Sequence, residues 1–234
     1  MDTTLNQDVV AEIWRPVVLT FESACSFDNP FLDVEIWAEF AGPSGRVVRR
    51  EAYWDGDRTY RVSFAPTELG AWNYVIEAPE QTGLNGRAGR INAVPYTGEL
   101  DLYRHGFIRV ADNPHLFAYA DGTPFFWLGD THWEFAYRES WDKSNHPGMT
   151  SQFCGMVDLR AKQGFTVYQT NLRSDMGAAD RYWIDGGMPK GAEDLPNVAF
   201  YQQELDRRMA YIADAGLVNA LGQSWAFSIR GEHG

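Results

Sequence analysis

The sequence lacks the features that mark secreted, membrane-bound and disulfide-rich proteins. Its 234 residues include two cysteines, Cys25 and Cys154, which we place in different domains and expect to remain unpaired. No stretch reaches the roughly 20 apolar residues of a membrane span. The opening stretch MDTTLNQDVVAEIW has neither the basic start nor the apolar core of a signal peptide. These absences predict a soluble, cytoplasmic protein with no membrane partner.

A basic excess is also missing from the chain. There are 20 Lys and Arg residues against 32 Asp and Glu residues, which gives a formal net charge of -12. Because such a chain repels a phosphate backbone, we predict no nucleic-acid partner. Hydrophobic residues make up 44% of the chain and charged residues 22%, as in an ordinary globular protein of one large or two small domains.

Motifs for phosphate, zinc and serine-hydrolase chemistry are absent as well. The chain has no G-x-x-x-x-G-K-[ST], no G-x-G-x-x-G that opens a helix after a strand, no H-E-x-x-H and no G-x-S-x-G. The triplet His132-Trp133-Glu134 fits the deaminase pattern H-x-E, but no P-C-x-x-C follows it. The sequence therefore predicts no cofactor and no metal.

The first part of the chain has the alternation that is typical of strands with one buried face. One such set is Trp72, Tyr74 and Ile76, and others occur at residues 17–21, 34–40 and 60–64. Turn signals separate them, among them the hairpin signal Asp55-Gly56. The pattern predicts an immunoglobulin-like β-sandwich over residues 1–97.

The hydrophobic period changes in the second part, which we place at residues 98–234. Apolar residues at helical spacing in 153–161 end at Gly164, and a second stripe in 198–212 ends at Gly216. Three apolar stretches predict strands around these helices: Phe125 to Leu128, FTVYQTN and LVNALGQSW. The first is expected to be a strand buried on both faces. The order strand, helix, strand, helix, strand predicts βαβ units and a parallel sheet.

Polar and aromatic residues follow each of the three predicted strands. In parallel α/β sheets, ligands bind at the carboxyl ends of the strands, where the loops converge. Carboxylates and amides bind hydroxyl groups, and an indole covers the apolar face of a sugar. We therefore predict a carbohydrate ligand. The predicted substrate-binding residues are Asp130, His132, Trp133, Gln169, Asn171, Gln223 and Trp225.

Structural roles are the alternative for several of these residues. Asp130 can cap the turn that continues through Thr131, and Asn171 can bond its own loop. The indoles of Trp133 and Trp225 can be part of the core. The site interpretation depends on the coincidence of three strand ends and on no single residue.

The same stretches resemble a known enzyme family. GFIRV, ADGTPFFWLGDTHWE and PNVAFYQQELDRRMAYIADAGLVNALGQSW are similar to the opening of the apiosidase-like glycoside hydrolase domain (family 140 type), with its W-L-G-D-T-x-W pattern. The stretch YRVSFAPTELGAWNYVIEA resembles the β-sandwich (domain of unknown function 5060 type) that often precedes this domain. The resemblance covers nearly the whole chain.

The resemblance implies a TIM (β/α)8 barrel that cleaves glycosidic bonds in plant or microbial polysaccharides, with residues 98–234 as its first three β/α units. Such hydrolysis needs two carboxyl groups that flank the bond, and in barrels of this type they usually follow later strands. We therefore assign no catalytic residue and expect no turnover by residues 1–234. Of the acids near the predicted cleft, Asp130, Glu134 and Asp175, pairing of Asp130 with Asp175 is the least disfavoured arrangement.

Two rival functions stay open at this level. The sandwich can be a non-catalytic carbohydrate-binding module, with Trp37, Trp54 and Trp72 as a sugar platform, or a structural adhesion domain. The third strand of the parallel sheet is expected to have an open edge. Since open apolar edges invite association, we expect self-association through this edge unless a partner covers it.

Overall fold

A computed structural model describes residues 8–133, 139–144, 146–149, 151–171 and 195–222, with the side chain of Asn171 left out. The described residues up to Phe107 form one compact unit, and those from Ile108 onward, apart from Leu195, form a second. The boundary that the sequence places between residues 97 and 98 stays a prediction.

The first unit is a β-sandwich of two sheets. One sheet has the strand order β1-β8-β7-β3-β4, with β1 parallel to β8 and the other pairs antiparallel, and the second has the antiparallel order β2-β6-β5. A short 3₁₀ turn, Glu80–Thr82, and the helix α1, Asp101–Arg104, complete the unit. The strands are β1 Asp8–Glu12, β2 Val17–Glu22, β3 Trp37–Ala41, β4 Val47–Glu51, β5 Tyr53–Trp54, β6 Thr59–Phe64, β7 Gly70–Glu77 and β8 Ala88–Val94.

The alternation in the sequence decides which residues form the sandwich core. In β7 the side chains of Trp72, Tyr74 and Ile76 are buried, while their neighbours along the strand face outward. The two sheets share one core, in which the rings of Phe40 and Phe64 stack with centroids 3.9 Å apart. The predicted β-sandwich is therefore confirmed.

The second unit combines a small antiparallel sheet with a parallel one. The strands β9 Arg109–Val110, β10 Phe117–Ala118 and β11 Pro124–Phe125 pair antiparallel in the order β11-β10-β9. The strands β12 Gly129–His132, β13 Val167–Asn171 and β14 Val218–Gly222 form the parallel sheet in the order β12-β13-β14.

Helices connect the parallel strands and bury their apolar sides against the sheet. The helix α2, Gln152–Lys162, lies between β12 and β13 in the chain. The helix α3 follows β13, beginning as Val198–Phe200, passing through a π-helical segment, Tyr201–Asp206, and continuing as Arg207–Asp214. Their buried residues pack with Tyr168 of β13 in one cluster. The predicted βαβ order and parallel sheet are confirmed.

The prediction of a strand from Phe125 to Leu128, buried on both faces, is wrong. Only Pro124–Phe125 is a strand, and it belongs to the antiparallel sheet, while Phe126 is 74% exposed and Trp127 is 43% exposed. The hydroxyl of Thr166 donates to the Phe126 carbonyl at 2.6 Å and accepts from the Leu128 amide at 3.0 Å. Because one side chain bonds both backbone groups, residues 126–128 are irregular and not part of a strand, and the parallel strand begins at Gly129.

The predicted end of the first helix agrees with the structure. Gly164 has a φ of 80°, its amide donates to the Ala161 carbonyl at 3.0 Å, and the Phe165 amide donates to the Arg160 carbonyl at 3.1 Å. This is a Schellman arrangement, in which a left-handed residue satisfies the last carbonyls of the helix.

We expect Gly164→Ala to lower the free energy of unfolding by about 1 kcal/mol, because an L side chain is strained at positive φ. The space around a Cβ at this position is open, so the backbone conformation alone carries the cost. Denaturant unfolding of the variant measures it. Lys162→Ala, at an exposed position of the same helix end, is the matched control and should be nearly neutral; an equal loss in both variants would contradict the assignment.

Among the residues that the structure describes, no helix is both long enough and apolar enough to cross a lipid bilayer.

Candidate functional site

The parallel sheet presents two different faces. Tyr168 and Thr170 of β13 are buried on the side of the helices, whereas Gln169 between them is exposed on the other side. We call these the helix face and the open face. In the register, Thr131 of β12 lies beside Gln169. The amino-terminal part of the open face is covered, since Val167 packs there with Phe125 of the antiparallel sheet.

Asp130 lies on the helix face. Its register partner is the buried Tyr168, and its carboxylate Oδ2 accepts a hydrogen bond from Nε of Arg160 in α2 at 2.5 Å. The second oxygen, Oδ1, accepts from the Thr131 amide at 3.0 Å. The alternative of a local structural role fits this geometry, and the carboxylate does not point with Gln169 toward the open face.

His132 lies on the same face and is held at both ring nitrogens. Its Nδ1 is hydrogen-bonded to the hydroxyl of Tyr168, and its Nε2 contacts the Glu139 carboxylate. Arg208 of α3 donates from Nη2 to the Glu139 carbonyl at 2.9 Å. We call these four residues the His132 network. They join β12, β13, α3 and the segment that begins at Glu139.

The burial of Tyr168 keeps its hydroxyl uncharged. Burial raises the pKa of Tyr168 far above its ordinary value, and the nearby negative charges of Glu139 and Asp130 raise it further. The hydroxyl therefore keeps its proton. The Oε2 atom of Glu139 is buried and has no hydrogen-bond partner within the described residues.

Among the predicted residues whose side chains the structure describes, Trp133 and Gln169 are exposed near the carboxyl ends of strands. Trp133 directly follows β12 and is 44% exposed, so it is not a core residue. Gln169 is exposed near the carboxyl end of the neighbouring strand. Together they place an indole and an amide at the end of the sheet where ligands bind in parallel α/β folds.

The remaining predicted residues are described in part or not at all. Asn171 is the last residue of β13 and pairs with Gly222 of β14, but its side chain lies outside the description. Gln223 and Trp225, as well as the acids Glu134 and Asp175, lie outside the described residues. The substrate-binding role of all seven residues stays a prediction.

The sequence analysis did not identify three members of the His132 network. Arg208 had a visible signal, because a charged residue between Leu205 and Ile212 interrupts the apolar stripe of α3. Tyr168 lies in an apolar strand, and the sequence pattern does not distinguish it from an ordinary core residue. Glu139 had no signal, since it belongs to no periodic segment.

Of the three tryptophans of the sandwich, Trp72 cannot be part of a sugar platform, and Trp37 and Trp54 make contacts within the sandwich. Trp72 is fully buried. The guanidinium of Arg49 lies over the Trp37 ring, 4.4 Å from its centroid. Trp54 donates from its indole to the Asp57 carbonyl at 3.0 Å. These contacts give each ring a structural role.

Within the described part of the chain, no group of three or more His, Cys, Asp or Glu side chains is placed to hold a metal ion.

Family models match both parts of the chain. Residues 10–79 match the "Domain of unknown function (DUF5060)". Residues 111–234, more than half of the chain, match the "Apiosidase-like, catalytic domain". This chain belongs to the apiosidase-like catalytic domain family. The match includes β12 to β14 and the His132 network, and the resemblance drawn from the sequence is confirmed for both parts.

A solved structure shows the same fold at low sequence identity. It is described as a "putative glycoside hydrolase from Bacteroides vulgatus ATCC 8482" and is 24% identical to this chain, with a TM-score of 0.62. The match covers 92% of this apiosidase-like chain and 41% of the solved one, so the chain spans about two fifths of that structure's length. Among curated proteins no match is found.

Proposed function

We propose that this protein is a glycoside hydrolase, or the N-terminal part of one, that acts on plant or microbial polysaccharide. In this proposal residues 98–234 are the first three β/α units of a TIM barrel, and an immunoglobulin-like sandwich over residues 1–97 precedes them. The family match and the parallel βαβ order support the assignment. Its ligand is a neutral carbohydrate, and no cofactor is required.

The observation that carries the proposal is that Trp133, directly after β12, and Gln169, two residues before the end of β13, both have exposed side chains. In (β/α)8 enzymes the active site lies at this end of the strands. The Trp133 indole is 44% exposed, and an exposed indole can cover the apolar side of a sugar ring, while the Gln169 amide donates to and accepts from hydroxyl groups.

The described carboxylates near the strand ends, Asp130 and Glu139, do not form a catalytic pair. Hydrolysis needs two carboxyl groups on opposite sides of the scissile bond. Asp130 is paired with Arg160, and Glu139 contacts His132, and both pairs lie on the helix face. We therefore assign neither of these two acids to the bond-breaking step. We propose further that the chain binds sugar without turnover, because in barrels of this type the catalytic pair usually follows later strands.

We expect Trp133→Ala to weaken the binding of pectic oligosaccharides at least tenfold, which is about 1.4 kcal/mol. Gln169→Ala should weaken it about threefold to tenfold, the size of one hydrogen bond. Isothermal titration calorimetry on the full chain measures both. Trp37→Ala, in the sandwich, is the control and should bind as the wild type does.

Three outcomes would count against the proposal. Unchanged binding in both Trp133→Ala and Gln169→Ala would place the sugar elsewhere. Loss of binding in Trp37→Ala alone would favour the rival function of a carbohydrate-binding sandwich. Turnover of aryl glycosides that disappears in Asp130→Asn would show that Asp130 is catalytic.

A further inference from the structure

We propose that His132 and Glu139 are positioning residues: the Glu139 carboxylate holds the His132 ring, and the anchored His132 holds its neighbour Trp133 where it meets the sugar. The inference rests on the proposed function, because it assigns these residues a role in binding at the open face. Neither residue contacts the sugar itself. Both lie on the helix face, and each is nearly nine-tenths buried, with side-chain exposures of 13% and 11%.

The first fastening point is His132. Its Nδ1 is bonded to Tyr168, which is fully buried in β13, so the ring cannot turn without breaking a contact to the neighbouring strand. Trp133 is the next residue in the chain. The orientation of its backbone is therefore fixed by a side chain that is anchored in the sheet.

The second fastening point is Glu139, seven residues after His132. Its carboxylate contacts His132 Nε2, and its carbonyl accepts from Arg208 Nη2 at 2.9 Å. Arg208 is 2% exposed and also donates to the Glu204 carbonyl at 2.9 Å, one helical turn earlier. Glu139 is thus tied to the helix as well as to His132.

The two hydrogen bonds of the imidazole fix the orientation of the ring. A carboxylate only accepts, so the His132 Nε2 that faces Glu139 carries a proton. Tyr168 keeps its own proton and donates to Nδ1. The ring therefore cannot turn over without losing both bonds, as a positioning residue requires.

The test compares sugar binding with the accessibility of Trp133 in the full chain. We expect Glu139→Ala to weaken the binding of pectic oligosaccharides about tenfold and to increase the acrylamide quenching of Trp133, taken as the difference from the same protein with Trp133→Phe. Glu139→Gln keeps an oxygen that accepts from His132 Nε2, so binding should return to within about threefold of the wild type. His132→Ala should weaken binding as Glu139→Ala does, and the double variant should lose no more than either.

The matched control is Asp142→Ala, which removes an exposed carboxylate three residues beyond Glu139 and should change neither readout. If Trp133→Ala abolishes binding while Glu139→Ala changes neither binding nor quenching, the positioning role is wrong and the proposed function stands. If Trp133→Ala binds as the wild type does, the proposed function fails, and this inference fails with it. Additive losses in the double variant would show that His132 and Glu139 act separately and would overturn the proposal.

Discussion

Replacing Trp72 by alanine is expected to lower the free energy of unfolding of the β-sandwich by about 3–5 kcal/mol. The ring is fully buried between the sheets, and its centroid lies 5.0 Å from that of Phe64. Its indole donates to the Glu68 carbonyl at 3.0 Å. A Cβ at Gly42 would lie 2.8 Å from the ring, so the chain passes close against it and leaves no room for water. Truncation therefore leaves a large cavity and an unpaired carbonyl.

Native-state hydrogen exchange on the full chain measures this loss in the sandwich alone. A single unfolding curve is not suitable, since two compact units need not unfold together. Trp37→Ala is the control, because Trp37 lies on the outer side of the same sheet, where its ring contact is with Arg49. Trp37→Ala should lower the free energy of unfolding by about 0.5–1 kcal/mol. Equal losses in the two variants would contradict the inferred position of Trp72 in the core.

The sandwich could be predicted from the sequence because its signal is local. Trp72, Tyr74 and Ile76 alternate within one strand, and the pattern alone states which side is buried. The turn signal Asp55-Gly56 likewise predicted the hairpin between β5 and β6. In the structure Gly56 has a φ of 99°, and the Asp55 amide donates to the Thr59 carbonyl at 2.9 Å. Each of these features depends on residues close together in the chain.

The start of the first parallel strand could not be predicted because it depends on a distant residue. The run from Phe125 to Leu128 is equally compatible with a buried strand and with an irregular segment. Thr166, about forty positions later, decides between them by bonding two backbone groups of that run. A strand beginning at Gly129 has a second consequence, because Asp130 and His132 then lie within the strand and not in the loop after it.

The faces of the candidate site follow from that shift. If the polar residues belonged to a loop, all of them could converge on one cleft. Within a strand, successive side chains point to opposite faces, so Asp130 and His132 share the helix face while Thr131 lies beside Gln169 on the open one. The sequence predicted the end of the sheet at which we propose that the site lies. It could not assign each residue to a face, and it gave no sign of Glu139.

Replacing Arg208 by methionine is expected to destabilise the α/β unit by about 3 kcal/mol, the low end of the cost of breaking a buried ion pair. Methionine keeps much of the volume but removes the charge and the donors. The guanidinium contacts the Glu204 carboxylate and donates to the Glu139 carbonyl, and it lies 5.2 Å from the centroid of Phe153. We expect the low end of this range of costs because Glu204 is one-third exposed and keeps its ion pair with Arg207.

Arg207→Met provides a control on the same helix. Arg207 also pairs with Glu204, at 2.9 Å, but its side chain is one-third exposed and its guanidinium lies over the ring of Trp141. Solvent screens such a pair, so we expect a loss of at most about 1 kcal/mol. Hydrogen exchange of the α3 amides measures both variants. Equal losses would show that the burial of Arg208 carries no special cost.

The cost of Arg208→Met is expected to depend on pH. Burial alone would raise the pKa of Glu204, but the hydrogen bonds from Arg208 and Arg207 outweigh it, and the pKa is lowered from its ordinary value. A lowered carboxyl pKa contributes stability above the unfolded value of about 4.3, and that contribution is lost as the pH falls through the folded pKa. The wild type should therefore lose stability on acidification faster than Arg208→Met does. Hydrogen exchange at pH about 7 and about 4, corrected for intrinsic rates, tests this. A difference between the two proteins that stays constant or grows as the pH falls would contradict the assignment of this ion pair.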